Sequence, residues 1–295
     1  MAIVAITGCS SGIGYESALA FARPRNGRPG DRVYACVRSV EKAAALQELT
    51  EKEQLDIRIK ILDVTAADSF PDFVDDIVVE SGRIDVLVNN AGILHPGAWE
   101  DLPEAKIRAV METNFYGPML LSRAVLPQMR KQGNGYIIMI SSLSGIAGLA
   151  GDVAYSASKF ALEGATEALR HEVDRWGIHL ALVQGGQYAT NIFASGEPGD
   201  DLLPPDYPAG SPYRALVEYK LQHLRNGLPD ALHPSHMAQL LLTIADSDGS
   251  RLRWPADELA TRVLDTMHRQ SDAERDTFLR MAGDSDWWSD GRNQP

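Results

Sequence analysis

The chain has 295 residues, 44% of them hydrophobic, with a mean hydropathy of -0.18, the balance of a soluble globule in which an α/β fold absorbs the length as one large core plus appendages. A formal net charge of -12 and a pI near 5.0 exclude a nucleic-acid backbone as partner, since that needs clustered Lys and Arg, and disfavour an anionic membrane surface. The two cysteines, Cys9 and Cys36, both fall in segments that read as buried or ligand-cradling, so free thiols in a reducing cytoplasm are expected.

The first apolar run, residues 3–6, is too short for a signal segment and meets a glycine loop at once, so no targeting segment is expected. Residues 2–7, AIVAIT, form the compact β-branched run of a strand buried on both faces. The run leads directly into Gly8-Cys9-Ser10-Ser11-Gly12-Ile13-Gly14 and then a helical pattern through residue 22. Glycines at these positions permit a tight turn and let a pyrophosphate approach backbone N–H groups at a helix N-terminus. The spacing is G-x-x-x-G-x-G and not the common G-x-G-x-x-G fingerprint, so the loop alone leaves an ordinary turn open. Residues 23–31, rich in Pro, Gly and Arg, read as a surface loop. A second strand, 32–37, ends at Arg38. An acid at this point would favour NAD, whereas an arginine accommodates the extra phosphate of NADP. Arg38 therefore points to NADP, the alternative being a solvated arginine at a strand end.

A helix over 39–53 and a strand over 57–62 follow, the strand ending in Asp63-Val64. After a helix over 66–81, the strand 84–88 runs into Asn89-Asn90-Ala91-Gly92, small residues that allow a backbone to lie close to a ligand. Pro103 opens a long helix reaching about residue 131 with Asn114 inside it. Asparagine is a poor interior helix residue, so Asn114 either faces water or holds a local irregularity. Strand 136–141 leads into Ser142, helix 153–176 carries Tyr155 and Lys159, and strand 178–183 follows. The longest uncharged stretch, 133–151, is broken by glycines and serines and reads as strand plus site loop, not as a membrane span. Six strand-helix alternations predict a single doubly wound parallel sheet of about seven strands, with ligands held beyond the carboxyl ends of the strands.

Beyond residue 184 the rhythm changes. Residues 185–232 carry Pro198, Pro204, Pro205, Pro208, Pro212 and Pro229 around one helix near 213–225. Long connections in compact domains are usually lids or binding loops, so 187–232 is the expected substrate cover. A helix over 234–245 starts at a proline, residues 252–255 read as a last strand, and 258–269 as a last helix. The expected organisation is one catalytic domain, 1–270, and a tail, 271–295, to which no order is assigned.

Tyr155 and Lys159 are four apart, which on a helix puts both on one face. A free tyrosine ionises near pH ~10, and an adjacent cation lowers that value. Ser142, at a strand end, has a hydroxyl suited to hold a substrate oxygen while Tyr155 moves its proton. A Tyr-x-x-x-Lys pair alone also occurs by chance on solvated helices, so context decides.

That context resembles the short-chain dehydrogenase/reductase family. TGCSSGIG at 7–14, Asn89-Asn90-Ala91-Gly92, Asn114, Ser142 and Tyr155-Ser156-Ala157-Ser158-Lys159 match its pattern in order and spacing over roughly residues 2–193. The resemblance implies that Tyr155 is the general acid/base and that Lys159 lowers its pKa and binds the nicotinamide ribose. It implies that Ser142 steadies the substrate oxygen and that Asn114, at a helix distortion, holds a water relaying protons to Lys159. Gly8, Ser10, Ser11, Gly12, Ile13 and Gly14 resemble the phosphate loop, Asp63 and Val64 the adenine contacts, Asn90 and Gly92 the segment beneath the adenosine ribose, and Thr190 the carboxamide contact. The implied cofactor is NADP(H), with NAD(H) as the alternative, and no metal site is implied. In place of the family's Pro-Gly before this threonine stands Gly185-Gly186-Gln187-Tyr188-Ala189-Thr190, a change expected to loosen the loop.

Within the family the chain looks most like the 17-beta-hydroxysteroid dehydrogenases of the estradiol type, with retinol dehydrogenases next. The implied substrate is a lipophilic secondary alcohol or ketone, most of all a hydroxysteroid; a retinal-type carbonyl is the alternative. Leu94, Leu143, Leu149, Tyr188 and Phe193 are expected at the mouth. Tyr219 and His223, one turn apart, either bind a distant polar end of the substrate or form an exposed face of the cover. Assembly as a homodimer or homotetramer through the helices of Asn114 and Tyr155 is implied. A reading of another class, a redox-sensing binder without chemistry, is disfavoured by the intact Ser142, Tyr155 and Lys159.

Overall fold

The apolar runs pair side by side into one sheet because the inner ones are too hydrophobic to face water on either side, while the two edge runs, 57–61 and 253–255, are partly exposed. The structure, a computed structural model, describes residues 1–193, 203–204 and 206–269, and positions 271, 274, 277, 278, 280, 281, 287 and 292. Its strands are β1 (Ile3–Thr7), β2 (Arg32–Val37), β3 (Ile57–Ile61), β4 (Val86–Asn89), β5 (Gly135–Ile140), β6 (Ile178–Gln184) and β7 (Arg253–Pro255). They lie parallel in the order β3-β2-β1-β4-β5-β6-β7. The chain winds outward in both directions from the β1/β4 pair, and the crevice beyond the carboxyl ends of those two strands is where such sheets bind ligands.

The helices are α1 (Gly12–Ala22), α2 (Ala44–Glu53), α3 (Phe70–Ser81), α4 (Glu104–Met111), α5 (Gly117–Gln132), α6 (Val153–Val173), α7 (Arg214–Asn226), α8 (Pro234–Ala245) and α9 (Glu258–Arg269). Side chains alternate across the sheet, so two cores form. Val4, Ile6, Val88 and Ile138 meet Leu19 of α1 and Leu241 of α8 on one face. Ala5, Leu87 and Ile137 meet Phe73 of α3, Leu121 of α5 and Leu162 of α6 on the other. Cys9 belongs to the first core and Cys36 to the second, and both thiols are free and buried.

Two expected elements change form. The long helix around Asn114 is divided by a π-helical turn, Glu112–Tyr116, between α4 and α5. The fourth strand begins at Val86 and not at 84, because the Gln132 side chain takes both backbone groups of Ile84, accepting from its N–H at 2.9 Å and donating to its carbonyl at 2.8 Å.

The two ends of the expected cover meet: Leu232 N donates to Gln187 O at 3.2 Å, and Ala189 N to Leu232 O at 3.0 Å. Between them, Lys106 bonds Asp206 at 2.7 Å, and Tyr207 and Ser211 both donate to Asp101, at 2.5 and 2.6 Å. Ala98, Leu203, Tyr207 and Val217 form a small apolar core under these contacts. Residues 194–202 and 205, with Pro198 and Pro205, the side chain of Phe193 and most of 271–295 lie outside the described residues. No helix among the described residues is long and apolar enough to cross a membrane.

Candidate active site

The loops leaving β1 and β4 are stitched together by a residue the motif reading passed over. The Thr7 hydroxyl accepts from Asn90 N and from Ala91 N, both at 3.0 Å, while Asn90 Nδ2 donates to Thr7 O at 2.8 Å. A β-branched hydroxyl ending a buried strand is a visible feature, but its partners are 83 and 84 positions away and only the fold reveals them. Gly8 and Gly12 adopt left-handed backbone, at φ +75° and +58°. A Cβ on Gly14 would lie 2.3 Å from Gly8 O, so only glycine lets α1 pack against the turn.

Ser11 occupies the N-cap position of α1 but its side chain caps nothing, which leaves the first N–H groups of the helix to an outside acceptor. Ser10 and Ile13 are half-buried in the same turn. Thr190 reaches over it: a Cβ on Gly12 would lie 3.2 Å from Thr190 Cγ2. This cradle, open at the N–H groups and closed to side chains, fits a dinucleotide pyrophosphate. Arg38 is exposed just past β2 and forms no ion pair among the described residues. It stands near Asp63, whose carboxyl is held below its usual range first by bonds from Thr65 N at 2.9 Å and Thr65 Oγ1 at 2.8 Å, and to a lesser degree by the Arg38 charge. Val64 is buried against the start of α5, where a Cβ on Gly117 would sit 2.6 Å from its carbonyl.

The β4 loop, the π turn and α6 converge at Gly92, where an added Cβ would lie 3.4 Å from Asn114 Oδ1 and 3.9 Å from Lys159 Nζ. Asn114 Oδ1 accepts from Ile93 N at 2.9 Å; its Nδ2 donates to Ile93 O at 2.9 Å and Ser158 Oγ at 3.1 Å. Of the two readings of Asn114, the irregularity holds. Its amide braces two segments, with both side-chain N–H donors committed to Ile93 O and Ser158 Oγ.

Ser142 leads a short turn, Leu143–Gly145, its Oγ accepting from Ser144 N at 3.2 Å. Tyr155 is 8% exposed and Lys159 4%. Burial pushes the Tyr155 phenol up to about 12, the neighbouring Ser142 hydroxyl opposes the rise, and the Asp152 carboxylate adds to it. Burial lowers the Lys159 ammonium to about 8, with Glu163 acting the other way. The ammonium donates to Ile140 O at 2.7 Å and stands 5.7 Å from the centre of the Tyr155 ring. In the chain by itself, burial is the largest influence on both groups. Both groups share one desolvated environment that favours their neutral forms, and the cation is directed at the end of β5.

Leu94 is buried and Leu143 and Leu149 are half-buried on loops at the carboxyl ends of β4 and β5. Tyr188 is not at the mouth. It lies in the core with Met237, its hydroxyl donating to Ala256 O at 3.2 Å. Gly185 permits this, since a Cβ there would stand 2.7 Å from Met237 and 3.1 Å from the Tyr188 ring. The loop without the family's proline is not left loose, because Gly186 N donates to Asp257 Oδ2 at 2.8 Å while Asp257 Oδ1 accepts from Ala260 N at 2.7 Å at the start of α9. Tyr219 meets the Trp287 ring edge-on, centroids 5.3 Å apart, and His223 lies one turn further along α7.

A family model described as short chain dehydrogenase matches residues 2–200. Uncharacterized oxidoreductase YusZ of Bacillus subtilis is 35% identical over 256 residues, covering 86% of this chain and 88% of that protein. 17-beta-hydroxysteroid dehydrogenase type 1 of Mus musculus is 31% identical over 85% of this chain and 72% of its own length. Retinol dehydrogenase 8 of Homo sapiens is 38% identical over 64% of this chain and 60% of its own. Among solved structures, a short-chain dehydrogenase from Streptomyces avermitilis has a TM-score of 0.76 and 30% identity over 99% of this chain and 98% of that one. A metagenomic short-chain oxidoreductase in complex with NADP has a TM-score of 0.65 and 25% identity over 86% of this chain and 95% of that one.

Proposed function

The chain belongs to the short-chain dehydrogenase/reductase family of NAD(P)-dependent oxidoreductases, and from that premise we propose that it is an NADP(H)-dependent enzyme interconverting a lipophilic ketone and its secondary alcohol, a hydroxysteroid above all. The observation that carries this reading is the gathering of Ser142, Tyr155 and Lys159 beside the glycine cradle at the carboxyl edge of the sheet. A nicotinamide cofactor, when bound, supplies the hydride chemistry. The chain supplies the proton. With its phenol pushed up to about 12, Tyr155 is protonated at neutral pH and acts as general acid toward a carbonyl oxygen, while the Ser142 hydroxyl donates to the same oxygen. In the reverse direction the phenol must give up its proton first, and positive charge nearby assists. Gly8, Ser10, Ser11, Gly12, Ile13 and Gly14 hold the phosphates, Asp63, Val64, Asn90 and Gly92 the adenosine end, and Lys159 and Thr190 the nicotinamide end.

Arg38, exposed and without an ion pair among the described residues, supports NADP, as does the NADP held by the metagenomic relative. Arg38→Ala is expected to weaken NADPH at least about tenfold more than NADH, a difference of ~1.4 kcal/mol; equal loss in direct binding assays would withdraw the preference. The steroid class is supported by the match to the mouse 17-beta-hydroxysteroid enzyme along most of the chain and by the apolar Leu94, Leu143 and Leu149. The match to retinol dehydrogenase 8 supports a retinoid carbonyl as second reading. A homodimer or homotetramer is supported by Val153 and Phe160, exposed on α6, and Tyr116, exposed on the π turn. The unpaired thiols support a cytoplasmic setting. The deciding measurement is nicotinamide absorbance with estradiol, testosterone, their ketones and retinal. Turnover that vanishes in Tyr155→Phe is expected. Tight NADPH binding with no turnover on any of them would favour the redox-sensing binder instead.

A further inference from the structure

The peptide unit joining Gly185 to Gly186 lies just past the end of β6, where the sheet no longer fixes its orientation and neither residue brings a side chain that could. Both of its polar groups are bonded even so. The carbonyl, Gly185 O, accepts from Leu143 N at 3.1 Å, and the N–H, Gly186 N, donates to Asp257 Oδ2 at 2.8 Å. The second carboxylate oxygen, Asp257 Oδ1, accepts from Ala260 N at 2.7 Å and so caps α9. Two backbone bonds anchor the carboxylate's own segment: Ala256 N donates to Gln184 O at 2.8 Å, and Thr261 N to Asp257 O at 3.0 Å. Glycine at 186 lets the carboxylate close on the peptide, since a Cβ there would lie 3.1 Å from each of its oxygens.

Leu143 follows Ser142, and the backbone on either side of this serine is held from β6 and its extension. Ser141 N donates to Val183 O at 2.9 Å, and Leu143 N to Gly185 O at 3.1 Å. The first bond continues the pairing of β5 with β6; the second depends on a glycine peptide whose direction is set by Asp257. A negatively charged acceptor on the N–H of that peptide polarises it and strengthens its carbonyl as the acceptor for Leu143 N. We propose that Asp257 is a positioning residue for Ser142: through the Gly185–Gly186 peptide it holds the turn that aims the serine hydroxyl at the substrate oxygen. The residue at the start of α9 thus takes part in the geometry of a site built on β5. This rests on Ser142 donating to the substrate oxygen, as proposed above.

Two backbone amides test it in the full chain without cofactor or substrate. The sequence contains one Ser-Leu step, at 142–143, and one Gly-Gly step, at 185–186. Cell-free synthesis with carbonyl-labelled serine and nitrogen-labelled leucine, or with doubly labelled glycine, therefore singles out the Leu143 and Gly186 N–H groups by NMR. Asp257→Ser keeps a cap for α9, but one short hydroxyl cannot also hold Gly186 N. Both amide protons are expected to move upfield and to exchange with solvent at least about tenfold faster than in the parent. A carboxylate that only capped α9 would leave Leu143 unmoved in this variant, and that result overturns the proposal. Should the serine variant fail to fold by circular dichroism, Asp257→Gly, which caps nearly as well and carries no acceptor, must show the same change at Leu143. On any ketone that is turned over, Asp257→Ser is expected to lower kcat about tenfold in the parent and to add little to Ser142→Ala; equal losses in both backgrounds also overturn it. An enzyme inactive on every ketone offered would end the functional reading and leave the amide result standing.

Discussion

Tyr155 and Lys159 were legible as a pair from a spacing of four, but their protonation was not, because burial is a property of the surroundings. The Lys159 ammonium is lowered from 10.5 to about 8 in the fold. The cation is therefore a burden on stability that is fully present below about pH 8 and is relieved as pH rises toward 10.5, since the unfolded chain binds the extra proton in that window. At pH 7 the burden is roughly 3 kcal/mol. Lys159→Met, which also forfeits the bond to Ile140, is expected to melt about 3 °C above the parent at pH 7, the gap closing by pH 10.5, while turnover is lost. Thermal melts at both pH values check it, and a variant less stable at pH 7 would contradict it. Tyr155→Phe should lower kcat by about 10²-fold or more with NADPH affinity nearly unchanged, as measured by fluorescence titration.

At the scale of elements, the glycine turn and the π turn do the positioning. Gly14→Ala puts a methyl 2.3 Å from Gly8 O and 2.6 Å from Asn90 Nδ2, so α1 must shift. A loss of about 1–3 kcal/mol in denaturant unfolding, together with at least tenfold weaker NADPH binding by about the same reasoning, is expected. Asn114→Ala strands the N–H and carbonyl of Ile93, costing about 2 kcal/mol, and should slow turnover because Ile93 and Ser158, the chain neighbours of Gly92 and Lys159, lose their common brace. The glycines were readable because their use is local, a positive φ or a close approach. The role of Asn114 was readable only as a choice of two, since its partners sit on a loop 21 residues back and on the next long helix. Tyr188 misled for a related reason: an aromatic beside a loop looks like a mouth residue until the packing around Met237 is known.

Across the whole molecule, the exposed Val153 and Phe160 on α6 and Tyr116 at the π turn leave an apolar face that a second copy would cover. Phe160→Glu is expected to shift the protein toward monomer in sedimentation or light scattering; a parent already monomeric at micromolar concentration would remove the assembly proposal. Strand count and order of elements were legible in the sequence because burial on both faces imposes continuous apolar runs, and the glycine turn because it sits at the end of one; Ser142, Tyr155 and Lys159 were singled out as a set by the resemblance to a family pattern. Tertiary structure alone decided that Thr7 clamps Asn90, that Asp257 replaces a missing proline as the tether of the Gly185–Gly186 loop, that Tyr188 is core, and that Lys220 meets Asp152. Each of these joins residues from distant segments, and the strength of such a contact depends on the dielectric and geometry created only when the segments pack.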